Sequence, residues 1–318
     1  MSRKKPAAST SPAPPAVRAL RTGDAYARMI AAPAEKRADL YRHELMAPFK
    51  AKWDCYHVPL RPAQPGGYDA VMASEMLGIL PPAHVDESWA DAAHRLADDD
   101  LWHASQQAVE RALARFVERD IQLPVQDYLF SILLGNPDNP ALAASDGYCG
   151  DGGIPGYVLA WLVPSDDTVR RLPAALAHET NHNVRFQFIA WRDDITLGEM
   201  MVSEGLAENF AVSLYGEENA GPWVTKTSAD VLESTVKPAI RTALDVQGMA
   251  GLSAYLYGDE IAAAQGYPTV GLPYCAGYAC GYDLVRCYLN ATGTDIAEAT
   301  LLPAEVILQE AEAAGFWG

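Results

Sequence analysis

Hydrophobic and polar positions change period near Pro124, and the change divides the chain. Before it, apolar residues recur at helical spacing: Leu40, Tyr41, Leu45, Met46 and Phe49 within Glu35–Lys52, then Leu101, Ala108, Ala112, Leu113 and Phe116 within Asp99–Arg119. Breaks fall at Pro33, Pro59–Gly67 and Leu80-Pro81-Pro82, so residues 24–124 read as a helical N-terminal region. After Pro124 come two short apolar runs, Tyr128–Leu134, closed by Gly135-Asn136-Pro137, and Tyr157–Val163, closed by Pro164. Runs of that length bounded by turn residues predict strands. Between them Gly147, Gly150, Gly152, Gly153 and Gly156 predict a loop that neither opens a helix nor ends in Lys-Ser/Thr, which argues against a phosphate cradle. Such a bend presents either an edge to which an extended peptide can pair or an ordinary hairpin.

Helical spacing then returns. One helix is expected from near Arg170 to Phe188 or Trp191, with Pro173 tolerable only in its first turn. A second runs from Thr196 to Tyr215 and stops at Gly216, with Thr196 and Glu199 forming a capping box. Ser228–Leu244 and Leu284–Leu289 predict further helices. The pattern as a whole predicts an α+β chain: a small mixed sheet and its helices over 125–216, and a helical C-terminal part over 217–318. Residues 1–23 are expected to form a disordered tail, because Pro, Ser and Ala stand where a signal peptide would carry an apolar core.

Composition narrows the function. The 318 residues carry a formal net charge of −17, which argues against nucleic acid and anionic membrane surfaces as partners. No apolar run approaches the roughly 18 residues that a span requires, so the protein is expected to be soluble and cytoplasmic. Five cysteines (Cys55, Cys149, Cys275, Cys280 and Cys287) are an odd number without C-x-x-C spacing, which does not suggest a disulfide framework. His43, His57, His84, His94 and His103 are scattered without ligand spacing.

The chemistry concentrates in Ala177-His178-Glu179-Thr180-Asn181-His182-Asn183. On a helix His178 and His182 stand one turn apart and can grip one metal ion, while Glu179, about 100° round, lies beside the metal as a base for bound water. A third ligand is needed. A His six residues on would be the metzincin choice, but Phe188 stands there and Arg185 replaces the expected Gly. On the second helix Glu199 belongs to the cap. Glu204 and Glu208 sit one turn apart among Met200, Met201, Ala207, Ala211 and Tyr215, where buried carboxylates need partners. Glu204 follows His182 by 22 residues, enough chain to turn and return antiparallel. Two His and one Glu leave a position open for water, as in catalytic zinc sites.

These residues carry a resemblance. His178-Glu179-x-x-His182 followed by Glu204-Gly205-Leu206-Ala207-Glu208 resembles the gluzincin arrangement of thermolysin-like peptidases. The longer runs Ala177–Asn183 and Ser203–Asn209, then Pro222-Trp223, are similar to the YjaZ-like family of predicted zinc-dependent proteases. Ala276–Val285 resembles that family's G-Y-x-x-G-Y helix. The resemblance extends from about residue 24 to the end and implies a zincin-like metallopeptidase domain over 125–318. It implies His178, His182 and Glu204 as zinc ligands, Glu179 as the base, and Glu208 as an acidic partner behind the ligands. Tyr278 and Tyr282, one turn apart, are candidates for a hydroxyl that donates to the oxyanion; packing on the core is the plainer reading of both. The expected function is zinc-dependent hydrolysis of peptide bonds in a peptide or protein substrate. The alternatives are a non-catalytic, zinc-braced protein that binds peptide or a chaperone partner, and a metal-dependent hydrolase of a non-peptide amide or ester.

Overall fold

The computed structural model describes residues 14–318. Four strands form one mixed sheet in the order β1-β2-β4-β3: β1 (Ala16–Leu20), β2 (Asp127–Leu134), β3 (Tyr148–Ile154) and β4 (Tyr157–Leu162). β1 and β2 pair in parallel, as do β2 and β4, while β3 runs antiparallel to β4 at the sheet edge. The apolar runs in β2 and β4 become its two central strands, buried along almost their whole length. That is why they lack a polar-apolar alternation. The architecture is α+β, with many helices around a small mixed sheet.

The helices that build the site are, in chain order, α1 (Lys50–Cys55), α2 (Ala70–Met76), α3 (Asp99–Val117), α4 (Asp166–Phe188), α5 (Leu197–Tyr215), α6 (Met249–Tyr257) and α7 (Ala276–Thr292). One hydrophobic core runs through the N-terminal helices and the rest of the chain. Phe116 of α3, for example, stacks on Phe210 of α5 at 4.9 Å between ring centres. Among the described residues no helix is long and apolar enough to cross a membrane.

Several sequence expectations change, and the helix expected at Leu284–Leu289 is part of the longer α7. Residues 16–20 of the expected tail are strand β1, because their backbone has a parallel partner 111 residues downstream in Ala16↔Asp127 through Leu20↔Ser131; the part of that tail over residues 1–13 lies outside the described residues. The Gly-rich stretch is not a loop but edge strand β3. Its glycines let helix α4 come close: a Cβ on Gly152 would stand 1.9 Å from the carbonyl oxygen of Glu179. Helix α4 begins at Asp166, so Pro173 lies inside it rather than in its first turn. Ser165 and Thr168 form a capping box that moves the start upstream, and Asp166 and Asp167 complement the helix dipole there.

Helix α5 is buried on nearly every side rather than along one stripe. Its back crosses α7 where Gly205 meets Gly281: a Cβ on Gly281 would lie 2.1 Å from the Met201 carbonyl oxygen, and one on Gly205 2.1 Å from that of Gly281. Gly281→Ala should therefore force the helices apart and cost about 1–3 kcal/mol, the usual scale for overpacking. A urea midpoint equal to that of the unsubstituted protein would show that the crossing tolerates the extra methyl.

Candidate metal centre

Helices α4 and α5 present His178, His182 and Glu204 to one another, all buried. His182 Nε2 lies 3.1 Å from His178 Nε2 and 3.1 Å from Glu204 Oε2, and His178 Nε2 lies 3.4 Å from the same oxygen. Bonds of about 2.0–2.2 Å to a tetrahedral zinc ion hold neighbouring donors roughly 3.3–3.6 Å apart. The observed triangle matches that spacing to within a few tenths of an ångström. The donor set also favours positive charge. Burial pushes the His178 imidazolium down, but the Glu204 and Glu208 carboxylates override it and raise its pKa to about 10. Burial pushes the Glu204 carboxyl up, and the two imidazoles outweigh it, holding it down at about 2. Two imidazole nitrogens and a carboxylate fit a borderline-soft divalent ion such as zinc.

The outer nitrogens of both rings have partners. His178 Nδ1–H donates to Glu208 Oε2 at 2.8 Å, so a metal ion that displaced the Nε2 proton would find that lone pair facing the cluster. Glu208 also accepts from the Trp223 indole N–H at 2.7 Å and the Gly221 backbone N–H at 2.6 Å. Its buried charge is thus surrounded by donors, and the Trp223 ring packs edge-on against His178. Ser203 Oγ lies 3.2 Å from His182 Nδ1. Glu199 stands apart: it caps α5 by accepting from Thr196 N–H and pairs with Arg192.

Glu179 points across to the sheet edge, where its Oε2 accepts from Gly152 N–H at 2.7 Å. Burial raises its pKa; the two imidazoles oppose that, and the Asp151 and Glu204 charges add to it. Asn183, one turn on, ties the β3–β4 hairpin to α4. It accepts from Gly156 N–H at 2.7 Å and donates to the carbonyls of Ile154 and Tyr157 at 2.7 and 2.8 Å. Arg185 anchors the far end of α4, donating to the carbonyls of Thr300 and Leu302.

A cavity of about 390 Å³ opens over His178, His182, Glu179 and Glu204. Tyr278 lines it, with its ring 5.9 Å from that of Tyr257. Burial holds the Tyr278 hydroxyl protonated far above the usual range. Tyr282 does not line the cavity. One turn further along α7, about 6 Å up the axis, it passes the cluster and packs under the Arg286 guanidinium instead.

Several side chains at the site carry no signal in local sequence. Asp151 of β3 pairs with the wholly buried Lys52 of α1 and accepts from Tyr56 OH and Gly153 N–H. Burial pushes the Asp151 carboxyl up, and Lys52 outweighs it, so the carboxyl stays below its ordinary value. Lys52 and Asp151 are 99 residues apart in the chain. Tyr257 is likewise placed by packing alone, while Ser203 and the Pro222-Trp223 pair were visible in sequence without their roles.

Residues 101–309 match the family described as "Predicted Zn-dependent protease (DUF2268)". Over 292 residues, covering 91% of this chain and 96% of the relative, the sequence is 36% identical to "Uncharacterized protein YjfC" of Bacillus subtilis (strain 168). Over 145 residues, covering 45% of this chain and 52% of the relative, it is 26% identical to "Uncharacterized protein YjaZ" of the same organism. No solved structure matches the chain.

Proposed function

The chain belongs to the family described as predicted Zn-dependent proteases, the YjaZ family, and from that premise we propose that it is a zincin-type zinc metallopeptidase that hydrolyses peptide bonds in polypeptides. The single observation that carries the reading is the metal-spaced triangle of His178, His182 and Glu204, with the carboxylate of Glu179 beside it at the wall of an open cavity. In this reading the three side chains are the ligands. Zinc bound there would polarise the scissile carbonyl and lower the pKa of water to about 7.

The chain's own groups then have defined work. Glu179, oriented by Gly152 N–H, takes one proton from water as the oxygen adds to the amide carbon. It passes that proton to the nitrogen as the C–N bond breaks, so the products are a carboxylate and an amine. The protonated Tyr278 hydroxyl is a donor for the developing oxyanion. Glu208 and Ser203 fix the ring orientations of His178 and His182. β3 is the sheet's edge strand and borders the cavity, so an extended polypeptide can lie along it. A purely structural metal site has no use for Glu179, which favours hydrolysis over a non-catalytic brace.

Purified protein should carry about one zinc per chain and degrade casein, and a chelator should stop the degradation until zinc is restored. Elemental analysis that finds no transition metal, before or after incubation with zinc, would remove the basis of this reading.

A further inference from the structure

Four large apolar side chains stand exposed around the mouth of the cavity. Met76 at the end of α2 is 73% exposed, Leu77 after it 39%, Trp191 in the turn after α4 52%, and Met249 at the start of α6 42%. A single exposed apolar residue is ordinary, but four from three separate chain segments on one opening mark a binding surface. Trp191 is joined to the metal centre through aromatic rings: it meets Phe186 edge-on at 5.7 Å, and Phe186 lies nearly parallel to His182 at 6.1 Å.

The charges lining the cavity have one sign apart from the imidazoles. Glu179, Glu204 and Asp151 face it, Asp151 being paired from behind by Lys52. Among the described residues no Lys or Arg lines it. An apolar side chain entering this mouth leaves water and covers the rim, whereas an Asp or Glu loses its hydration and finds no Lys or Arg to pair with, the charge of a zinc ion there being matched by Glu204 and Glu179.

Resting on the peptidase reading above, we propose that the substrate class is unfolded polypeptide with large apolar side chains flanking the amide at the His178–His182–Glu204 group, and that segments with Asp or Glu in those places are rejected. Unfolded chains follow from the chemistry, since large apolar side chains are mostly buried in folded proteins. The two methionines suit a rim that meets varied sequences, because their thioether chains adapt to different shapes.

The test uses quenched fluorescent decapeptides in which the two residues flanking the central amide are both Leu, both Phe, both Gly, both Lys or both Glu. Cleavage is measured with the zinc-loaded protein, and binding with the Glu179→Gln variant by fluorescence anisotropy. The Leu and Phe peptides should exceed the Gly peptide roughly tenfold to a hundredfold in kcat/KM and in affinity, with the Glu peptide weakest. Met76→Ser, Trp191→Ala and Met249→Ser should each shrink the ratio of the Leu and Phe peptides to the Gly peptide, mainly through KM. Cleavage with a flat or acid-preferring profile, or an unchanged profile in all three rim variants, overturns the inference while the peptidase reading stands. Apolar-selective binding without any cleavage keeps the inference and removes the peptidase reading. Neither binding nor cleavage of any peptide removes both.

Discussion

Glu204→Ala should leave the metal centre without stable zinc, the largest effect of any single substitution at the site. Two imidazoles would remain, and the neighbouring carboxylate cannot replace the lost one. Glu208 is already held by three donors, His178 Nδ1, Gly221 N and Trp223 Nε1, and faces the outer side of the His178 ring. Glu208→Ala should have a different effect. It frees the ring and leaves buried donors unpaired, so zinc affinity should fall about ten- to a hundredfold without emptying the site at saturating zinc. Stability should fall as well, by about 1–3 kcal/mol for each buried donor left without a partner. Glu199→Ala removes only the cap and the Arg192 pair, at about 1 kcal/mol of stability, and zinc affinity should not change. Competition titration with a chromophoric chelator measures the order directly. If Glu208→Ala binds zinc more weakly than Glu204→Ala, the ligand lies one turn further along α5.

Glu179→Gln should keep zinc and reduce turnover of casein by about a hundredfold or more. The amide oxygen of glutamine can still accept from Gly152 N–H, so the side chain stays in place against β3. What it loses is the ability to take a proton from water and return it to the leaving amine. Zinc content and turnover are read on the same preparation. Unchanged turnover would move the proton transfer to another group. Parallel loss of zinc and turnover would make Glu179 part of the donor set instead.

Much of the site was legible in the chain because it depends on local geometry. The four-residue spacing of His178 and His182 puts both rings on one helix face wherever that helix lies. The Thr196–Glu199 cap was equally local, and so was the strand character of Tyr128–Leu134 and Tyr157–Leu162. The roles of Glu204 and Glu208 were different. Their spacing left both on one face, and the resemblance to known families assigned one as ligand. The tertiary structure puts Glu204 against the Nε2 atoms and Glu208 against the outer Nδ1, because the Gly205–Gly281 crossing fixes how α5 is rotated between α4 and α7.

Other features were decided only by packing. Glycine-rich sequence has weak strand propensity, and it became β3 because its missing side chains let the backbone of α4 approach. Tyr278 and Tyr282 are equivalent in sequence, yet only Tyr278 lines the cavity, while Tyr282, one turn on, packs under the Arg286 guanidinium. Lys52 and Asp151 meet across a large loop of chain, and nothing near either residue in sequence marks the other. Short-range spacing is set by backbone dihedrals and can be read from residues close together in the chain. Which buried charge meets which, and which face of a helix borders a cavity, is set by how whole elements pack, and that information is spread over the entire sequence.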